Sequence, residues 1–294
     1  MVTDLSELTL ETGGELGEKE DKPRGENKLL WALGKTETIF ARLQKELPAI
    51  FLDYDGTLTP IVDDPTKAKL DEKTREVLQR ISKHMFVAVI SGRGLEDVRK
   101  MVGIDELSYA GSHGFEMSCG LGYFDEDDKK QQYLSTLEKA EQELGRATRD
   151  MQGIRIERKP YGIAIHYRGA VEREIPEVES LVDSLAERFS ELKKISGKKI
   201  FELRPNVDWD KGKALQAMLG QFHVDCSRIT PLYIGDDTTD EDAFRVLGDS
   251  GIGVLVSDEP RRTNARYILR DPSEVTIFLE KLAELAAINI IKGI

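Results

Sequence analysis

The stretch Ile50-Phe51-Leu52-Asp53-Tyr54-Asp55-Gly56-Thr57-Leu58-Thr59-Pro60 constrains the chain more than any other. Apolar residues run into two aspartates spaced one apart, and a glycine follows at once. A buried strand that ends this way carries both carboxyl groups at its carboxyl edge, where open α/β sheets bind their ligands. Alternate side chains of a strand point the same way, so Asp53 and Asp55 can share one site. Two carboxylates held that close repel unless a proton or a cation relieves them. A hard, oxygen-seeking ion such as Mg²⁺ is the natural relief.

The rest of the chain must supply a sheet for that strand. At 294 residues and 39% hydrophobic, it can bury a substantial core in one or two domains. Its formal net charge of −12 argues against a general nucleic-acid binder or a polybasic membrane binder. An anionic substrate would need a local cluster of basic groups. Cys119 and Cys226 match neither a disulfide framework nor a zinc spacing, which fits a reducing, cytoplasmic compartment. The start shows no basic region followed by an apolar run, so no signal peptide is expected. No apolar stretch approaches the roughly 20 residues of a membrane helix.

Residues 1–27 hold eight acids against three bases, Lys19, Lys22 and Arg24, and read as a disordered acidic leader. A helix is expected over Lys28 to Leu47, broken near Gly34, feeding the strand that ends at Asp53. After a loop at 61–69, Asp71 opens a helix to about Lys83. Phe86 to Ile90 reads as a strand ending at Ser91-Gly92-Arg93-Gly94. A helix over Leu95 to Val102 and a short strand over Leu107 to Ala110 follow, then the loop Gly111 to Gly114. Strand and helix in alternation predict a parallel doubly wound sheet.

The pattern then changes. Gln131 to Arg149 and Ile175 to Phe189 read as helices. Each precedes a hairpin, the first over Ile154 to Lys159 and Gly162 to Tyr167, the second over Leu192 to Ile195 and Lys199 to Leu203. This predicts an α+β module over residues 119–204, inserted in a sheet domain made of 28–118 and 205–294. The sheet domain resumes with a helix opened by Asp210 as N-cap. The strand Pro231 to Gly235 then ends in Asp236-Asp237-Thr238-Thr239-Asp240-Glu241-Asp242. A helix to Leu247, strands over Gly251 to Val256 and Ala265 to Leu269, and a helix over Ser273 to Ala287 complete the chain.

Four strand ends or helix starts in this domain present polar groups: Asp53 with Asp55, Ser91, Lys211, and Asp236 with Asp237 and Asp240. Taken singly, Ser91 fits a turn and the acids at 236–242 fit a helix cap. In this order they resemble the four motifs of the haloacid dehalogenase superfamily, whose members are mostly phosphatases. The resemblance implies Asp53 as nucleophile, forming an aspartyl-phosphate. It implies Asp55 as general acid and base. Mg²⁺ would be held by Asp53, Asp236 and the backbone carbonyl of Asp55. Asp237 and Asp240 would support that ion from a step away. Ser91 would donate to a phosphoryl oxygen, and Lys211 would bring positive charge to phosphate and nucleophile.

Six segments narrow the resemblance: Leu52 to Pro60, Tyr109 to Gly114, Ile165 to Arg168, Phe201 to Pro205, Trp209 to Ala214 and Gly235 to Phe244. Together they resemble the trehalose-6-phosphate phosphatase family, from about residue 48 to 285. That family implies a cap closing over the core to read a sugar phosphate. By position, Lys159, His166, Arg168 and Glu202 in the cap are candidate contacts for sugar hydroxyls, with His113 and Glu116 at the hinge. Gly92 and Arg93, which flank Ser91, are further candidates for substrate contacts, and Arg93 is also a candidate to orient that loop. Closure would turn on links near Gly120 and Pro205. The substrate it implies is trehalose 6-phosphate. The rivals are another phosphorylated glycoside, such as sucrose phosphate or a mannosyl or glucosyl glycerate phosphate, and a sugar-phosphate sensor without turnover. No synthase-sized region exists in the chain, so a partnership with a trehalose-phosphate synthase would be between chains.

Overall fold

The computed structural model describes residues 29–62, 64–119, 122–124, 127–197, 199–207, 209–220 and 229–291. The expected acidic leader at 1–27, Gly120 and Cys226 lie outside the described residues. Strands are β1 Leu30–Trp31, β2 Leu47–Leu52, β3 Phe86–Ile90, β4 Ser108–Gly111, β5 Glu116–Cys119, β6 Gly122–Phe124, β7 Arg155–Lys159, β8 Gly162–His166, β9 Leu192–Gly197, β10 Ile200–Pro205, β11 Ile229–Gly235, β12 Ile252–Val256 and β13 Tyr267–Leu269. Helices are α1 Thr36–Leu43, α2 Glu72–Ser82, α3 Leu95–Val102, α4 Asp127–Ala147, α5 Ile175–Arg188, α6 Lys211–Gly220, α7 Asp240–Leu247 and α8 Pro272–Ile291.

The larger sheet runs β1-β13-β12-β11-β2-β3-β4-β5-β6. From β1 to β4 every pairing is parallel, and β5 and β6 add an antiparallel hairpin. The sequence of β2, β3, β11 and β12 is almost wholly apolar, as strands buried on both faces must be. One face carries Ile50, Leu52 and Val89 into a core shared with α1, α2, α3 and α8. The other carries Phe51, Ala88 and Tyr233 against α6 and α7. Asp71 accepts from the Lys73 backbone N–H at 3.1 Å to start α2, and Gly103 ends α3 in the left-handed region at φ 67°.

The smaller sheet is antiparallel, in the order β7-β8-β10-β9, and packs on α4 and α5 through Leu137, Leu144, Ile163, Ile165, Val178, Val182 and Leu203. Its four strands and two helices follow the expected pattern of helix then hairpin, twice. The chain stays bound to this sheet past the expected border at 204. Pro205 pairs with Leu192, the Asn206 N–H donates to the Glu191 carbonyl at 2.6 Å, and Lys193 Nζ reaches the Val207 carbonyl at 2.9 Å.

One expectation needs correction. The helix expected over Lys28 to Leu47, broken near Gly34, is instead an edge strand, a 3₁₀ turn over Ala32–Lys35 and a short helix, with Leu47 already in β2. Leu30 and Trp31 pair with Tyr267 and Ile268, a tertiary contact that overrides local periodicity. The β5–β6 hairpin was not expected at all. Among the described residues no helix is long and apolar enough to cross a membrane.

Candidate active site

β2 and β11 lie side by side, with Ile234 opposite Leu52. Their carboxyl ends therefore deliver Asp53 and Asp236 to one point. The Asp53 N–H donates to the Ile234 carbonyl at 2.9 Å, which fixes the end of the strand. α6 begins at Lys211, with the Lys213 N–H donating to Asp210 Oδ1 at 2.8 Å, so the expected cap is present. Lys211 points inward, 2% exposed, with Nζ at 2.9 Å from Asp53 Oδ1 and 2.8 Å from Asp240 Oδ1.

Carboxylate oxygens of Asp53, Asp236 and Asp240 lie within 4.8 Å of one another. Asp240 is already committed. Its Oδ1 also accepts from the Tyr233 hydroxyl at 2.6 Å and its Oδ2 from the Asp237 N–H at 2.9 Å. Asp236 is held more lightly, by the Thr57 hydroxyl at 3.2 Å and, on its backbone carbonyl, by Arg261 at 2.7 Å. Asp237 turns outward and binds the Thr238 N–H at 2.6 Å.

This crowding shows in the acidities. Burial pushes the Asp53 carboxyl well above the usual range; Lys211 opposes that, while Asp240 and Asp236 add to it. Burial and then Asp240 raise Asp236 to about 6. For Lys211 burial works against the charge, but Asp240 and Asp53 outweigh it and hold the ammonium charged. Three acids around one lysine leave surplus negative charge. Asp53 and Asp236 are hard oxygen donors, so a divalent cation fits the set.

Gly56 makes the approach feasible. Its φ of 84° suits glycine, and a Cβ there would overlap the Asp236 carboxylate. Asp55 points elsewhere. Its two oxygens accept from Arg93 Nε and a terminal Arg93 nitrogen, each at 2.7 Å. Ser91 is 1% exposed, its Oγ accepting from the Arg93 backbone N–H at 3.1 Å.

A cavity opens between the two sheets, bordered by Gly92, His113, Lys159, Glu202, Arg204 and Trp209 among others. Glu202 is buried and grips Lys159 at 2.6 Å and also Arg204. Burial works against its charge, but the two cations win and keep it ionised below the usual range. Both ring nitrogens of His113 and Nε1 of Trp209 are buried without a partner. Burial, then Arg204, Lys211 and Lys159, hold the His113 pKa well down, so the ring is neutral. There is no room for a Cβ at Gly92, which would meet that ring at 2.8 Å.

Of the residues expected around the sugar, Gly92, His113, Lys159 and Glu202 border this cavity. Arg93, Glu116, His166 and Arg168 do not. Arg93 is turned to Asp55. Glu116 accepts from Ser112 Oγ at 2.7 Å and the Leu95 N–H at 3.3 Å, bracing the loop behind the site. His166 pairs with Glu157 at 2.8 Å, out on the smaller sheet. Sequence reasoning missed Thr57, Tyr233, Arg261 and Trp209 as site-builders. Thr57 and Trp209 stood inside the quoted motifs, whereas Tyr233 looked like one more apolar strand residue.

A doubly wound sheet with acids gathered on its rim around one buried lysine, and an inserted α+β layer above, is the haloacid dehalogenase-like fold. Solved structures agree on the fold. The Candida albicans trehalose-6-phosphate phosphatase C-terminal domain superposes with a TM-score of 0.72 at 24% identity, over 87% of this chain and 99% of that one. The C-terminal domain of a Candida albicans trehalose synthase regulatory protein reaches 0.64 at 13% identity, over 86% and 99%. In sequence, the trehalose-phosphate phosphatase of Mycobacterium tuberculosis is 38% identical over 288 residues, 96% of this chain and 71% of that protein. The trehalose 6-phosphate phosphatase RA3 of Zea mays is 38% identical over 86% of this chain and 74% of its own. Residues 51–273 match the trehalose-phosphatase family. The chain belongs to that family.

Proposed function

We propose that the protein is a Mg²⁺-dependent phosphatase that hydrolyses trehalose 6-phosphate to trehalose and phosphate, acting in trehalose biosynthesis in the cytoplasm. The observation that carries the reading is Lys211 Nζ at 2.9 Å from Asp53 Oδ1, with the Asp236 carboxylate alongside. A lysine there favours the ionised form of Asp53 against the burial that opposes it, and holds its oxygen in place for attack. Asp53 attacks phosphorus, the bond from phosphorus to the sugar oxygen breaks, and Asp55 gives that oxygen its proton. Water then attacks phosphorus, Asp55 takes the proton back, and the acyl-phosphate bond breaks to return the Asp53 carboxylate. Asp53, Asp236 and the Asp55 backbone carbonyl would hold Mg²⁺, which when bound offsets negative charge on the phosphoryl group. Ser91 and Lys211 bind phosphoryl oxygens. Asp240 fixes Lys211, and Asp237 supports the metal from further out.

The inserted layer of α4, α5 and β7 to β10 serves as the cap, on a core formed by the larger sheet and its helices. Its cavity suits a neutral, hydroxyl-rich leaving group. The Lys159–Glu202–Arg204 cluster and the unpaired nitrogens of His113 and Trp209 offer donors and acceptors for several hydroxyls. Phosphate release from a panel of trehalose 6-phosphate, sucrose phosphate and glucosyl and mannosyl glycerate phosphates, with Mg²⁺ and with chelator, tests the reading. Turnover concentrated on trehalose 6-phosphate and lost with chelator supports it. A preference for another member replaces the substrate, and no turnover on any of them favours a sensor.

A further inference from the structure

The fork between Arg93 and Asp55 is built more heavily than a surface ion pair needs. Exposed pairs contribute little and are left mobile. Here the Arg93 side chain is only 11% exposed, whereas Asp55 is 39% exposed. Both Asp55 oxygens are taken at 2.7 Å. The guanidinium is in turn fixed on three more sides. It donates to Asp97 Oδ2 at 3.2 Å and to the Pro65 carbonyl at 2.8 Å, and lies 5.5 Å from the centre of the Tyr54 ring. Tyr54 is itself tied down by its hydroxyl on the Ala68 carbonyl at 2.7 Å. A half-exposed carboxylate on a turn would otherwise rotate freely, and a two-point fork removes that freedom. A lysine, as a point charge, could not.

We propose that Arg93 is a positioning residue: its fork fixes the Asp55 carboxyl group in a single orientation, from which one oxygen is released to serve the leaving sugar. This rests on the phosphatase reading, in which Asp55 exchanges a proton with that oxygen. The guanidinium does not border the sugar cavity and acts on the reaction through Asp55. The loop 64–68 shares the work, because Pro65 and Ala68 anchor the two side chains that hold the fork in place.

The test uses the full chain with saturating Mg²⁺ and compares Arg93→Ala, Arg93→Lys, Asp55→Asn and the double variant Arg93→Ala/Asp55→Asn. The expected result is a fall in kcat of about 10–100-fold for Arg93→Ala with KM little changed, a part of the roughly 10²–10⁴-fold that general acid–base catalysis supplies. Arg93→Lys should recover only part of it. In the Asp55→Asn background, losing Arg93 should cost no more, since groups acting as a unit are not additive. A sugar alkoxide needs protonation more than nitrophenolate does, so kcat/KM should fall at least tenfold further for trehalose 6-phosphate than for 4-nitrophenyl phosphate. Equal losses on the two substrates, an additive loss in the Asp55→Asn background, or a raised KM at unchanged kcat would overturn the proposal. If Arg93→Ala does not fold, Arg93→Lys on the two substrates decides. Asp53→Asn, run alongside, separates the two claims: full turnover in that variant sinks the aspartyl-phosphate mechanism on which the phosphatase reading rests, whereas an unselective Arg93→Ala sinks only this one.

Discussion

Asp53 and Asp236 sit where burial makes a carboxylate costly; the charges of Asp240 and Asp236 add to that at Asp53, and Asp240 adds to it at Asp236. In the protein without a cation, Asp236 titrates at about 6 against 3.8 for an ordinary aspartate. A raised acid stabilises the folded state fully below the unfolded value, and that stability is lost as pH rises through the folded one. The window therefore runs from about pH 4 to pH 6. Above it, Asp236 is an ionised group crowded by other acids, and a divalent ion binds without displacing its proton. Below it, ion and proton compete. Mg²⁺ should accordingly raise the melting temperature more at pH 7.5 than at pH 5, read by thermal denaturation with and without the metal. An equal rise at both values would remove Asp236 from the metal site. Asp53→Asn tests the neighbouring residue from the other side. It removes the proposed nucleophile and a crowding charge at once, so turnover should fall by at least about 10³-fold, in line with the loss of other covalent nucleophiles. The metal-free protein should become slightly more stable, because one of three crowded acids loses its charge while Lys211 keeps Asp240 at 2.8 Å as its partner. Loss of both turnover and fold would instead mean that the Lys211–Asp53 pair holds the core together.

At the scale of elements, the turn after β2 does most to assemble the site, and Gly56 is its critical position. Gly56→Ala would need a left-handed φ and would drive a methyl group into the Asp236 carboxylate. The backbone term alone is about 1–2 kcal/mol. A melting point lower by about 2–8 °C is expected in a chain of this size, together with a much smaller rise on adding Mg²⁺. A variant that melts lower but keeps its full response to the metal would show that Asp236 can simply move aside. This turn was legible in the sequence, because an apolar run, two spaced acids and a glycine each have a local physical meaning. So were Lys211, announced by its cap Asp210, and the acids that follow β11. What the sequence hid were tertiary choices. Leu30 and Trp31 read as the start of a helix because nothing local reveals that β13 offers them an edge. Arg93 was read as a substrate contact because its neighbours Ser91 and Gly92 face the site, and a long side chain gives no hint of which way it turns. His166 was read likewise from its motif, while its ring is held by Glu157 one strand over.

At the scale of the whole molecule, the two sheets meet through the tip of the β7–β8 hairpin. Tyr161 packs edge-on against Phe115 with ring centres 4.9 Å apart, and Pro160 sits where a side chain at Gly94 would have to go. These contacts lie beside the cavity that holds His113, Lys159 and Glu202. Any motion of the smaller layer must therefore pivot around them or break them. The return strand stays bonded to its own sheet through Val207, so the pivot on that side falls beyond Pro205, near Trp209 rather than at the proline. An aspartyl-phosphate must meet water only after the sugar departs, and a layer closing over the site would exclude bulk water during the first step. Small-angle scattering with Mg²⁺, a phosphate analogue such as beryllium fluoride, and trehalose should then give a smaller radius of gyration than the protein alone. Tyr161→Ala removes an aromatic contact of about 0.5–1.5 kcal/mol beyond its area. It should shift the unliganded protein towards wider separation and raise KM while leaving the acid cluster's response to Mg²⁺ intact, since the contact it removes is with Phe115. Identical scattering in all four states, with and without ligands in both proteins, would mean that the layers are fixed and that the sugar enters a site already shaped for it.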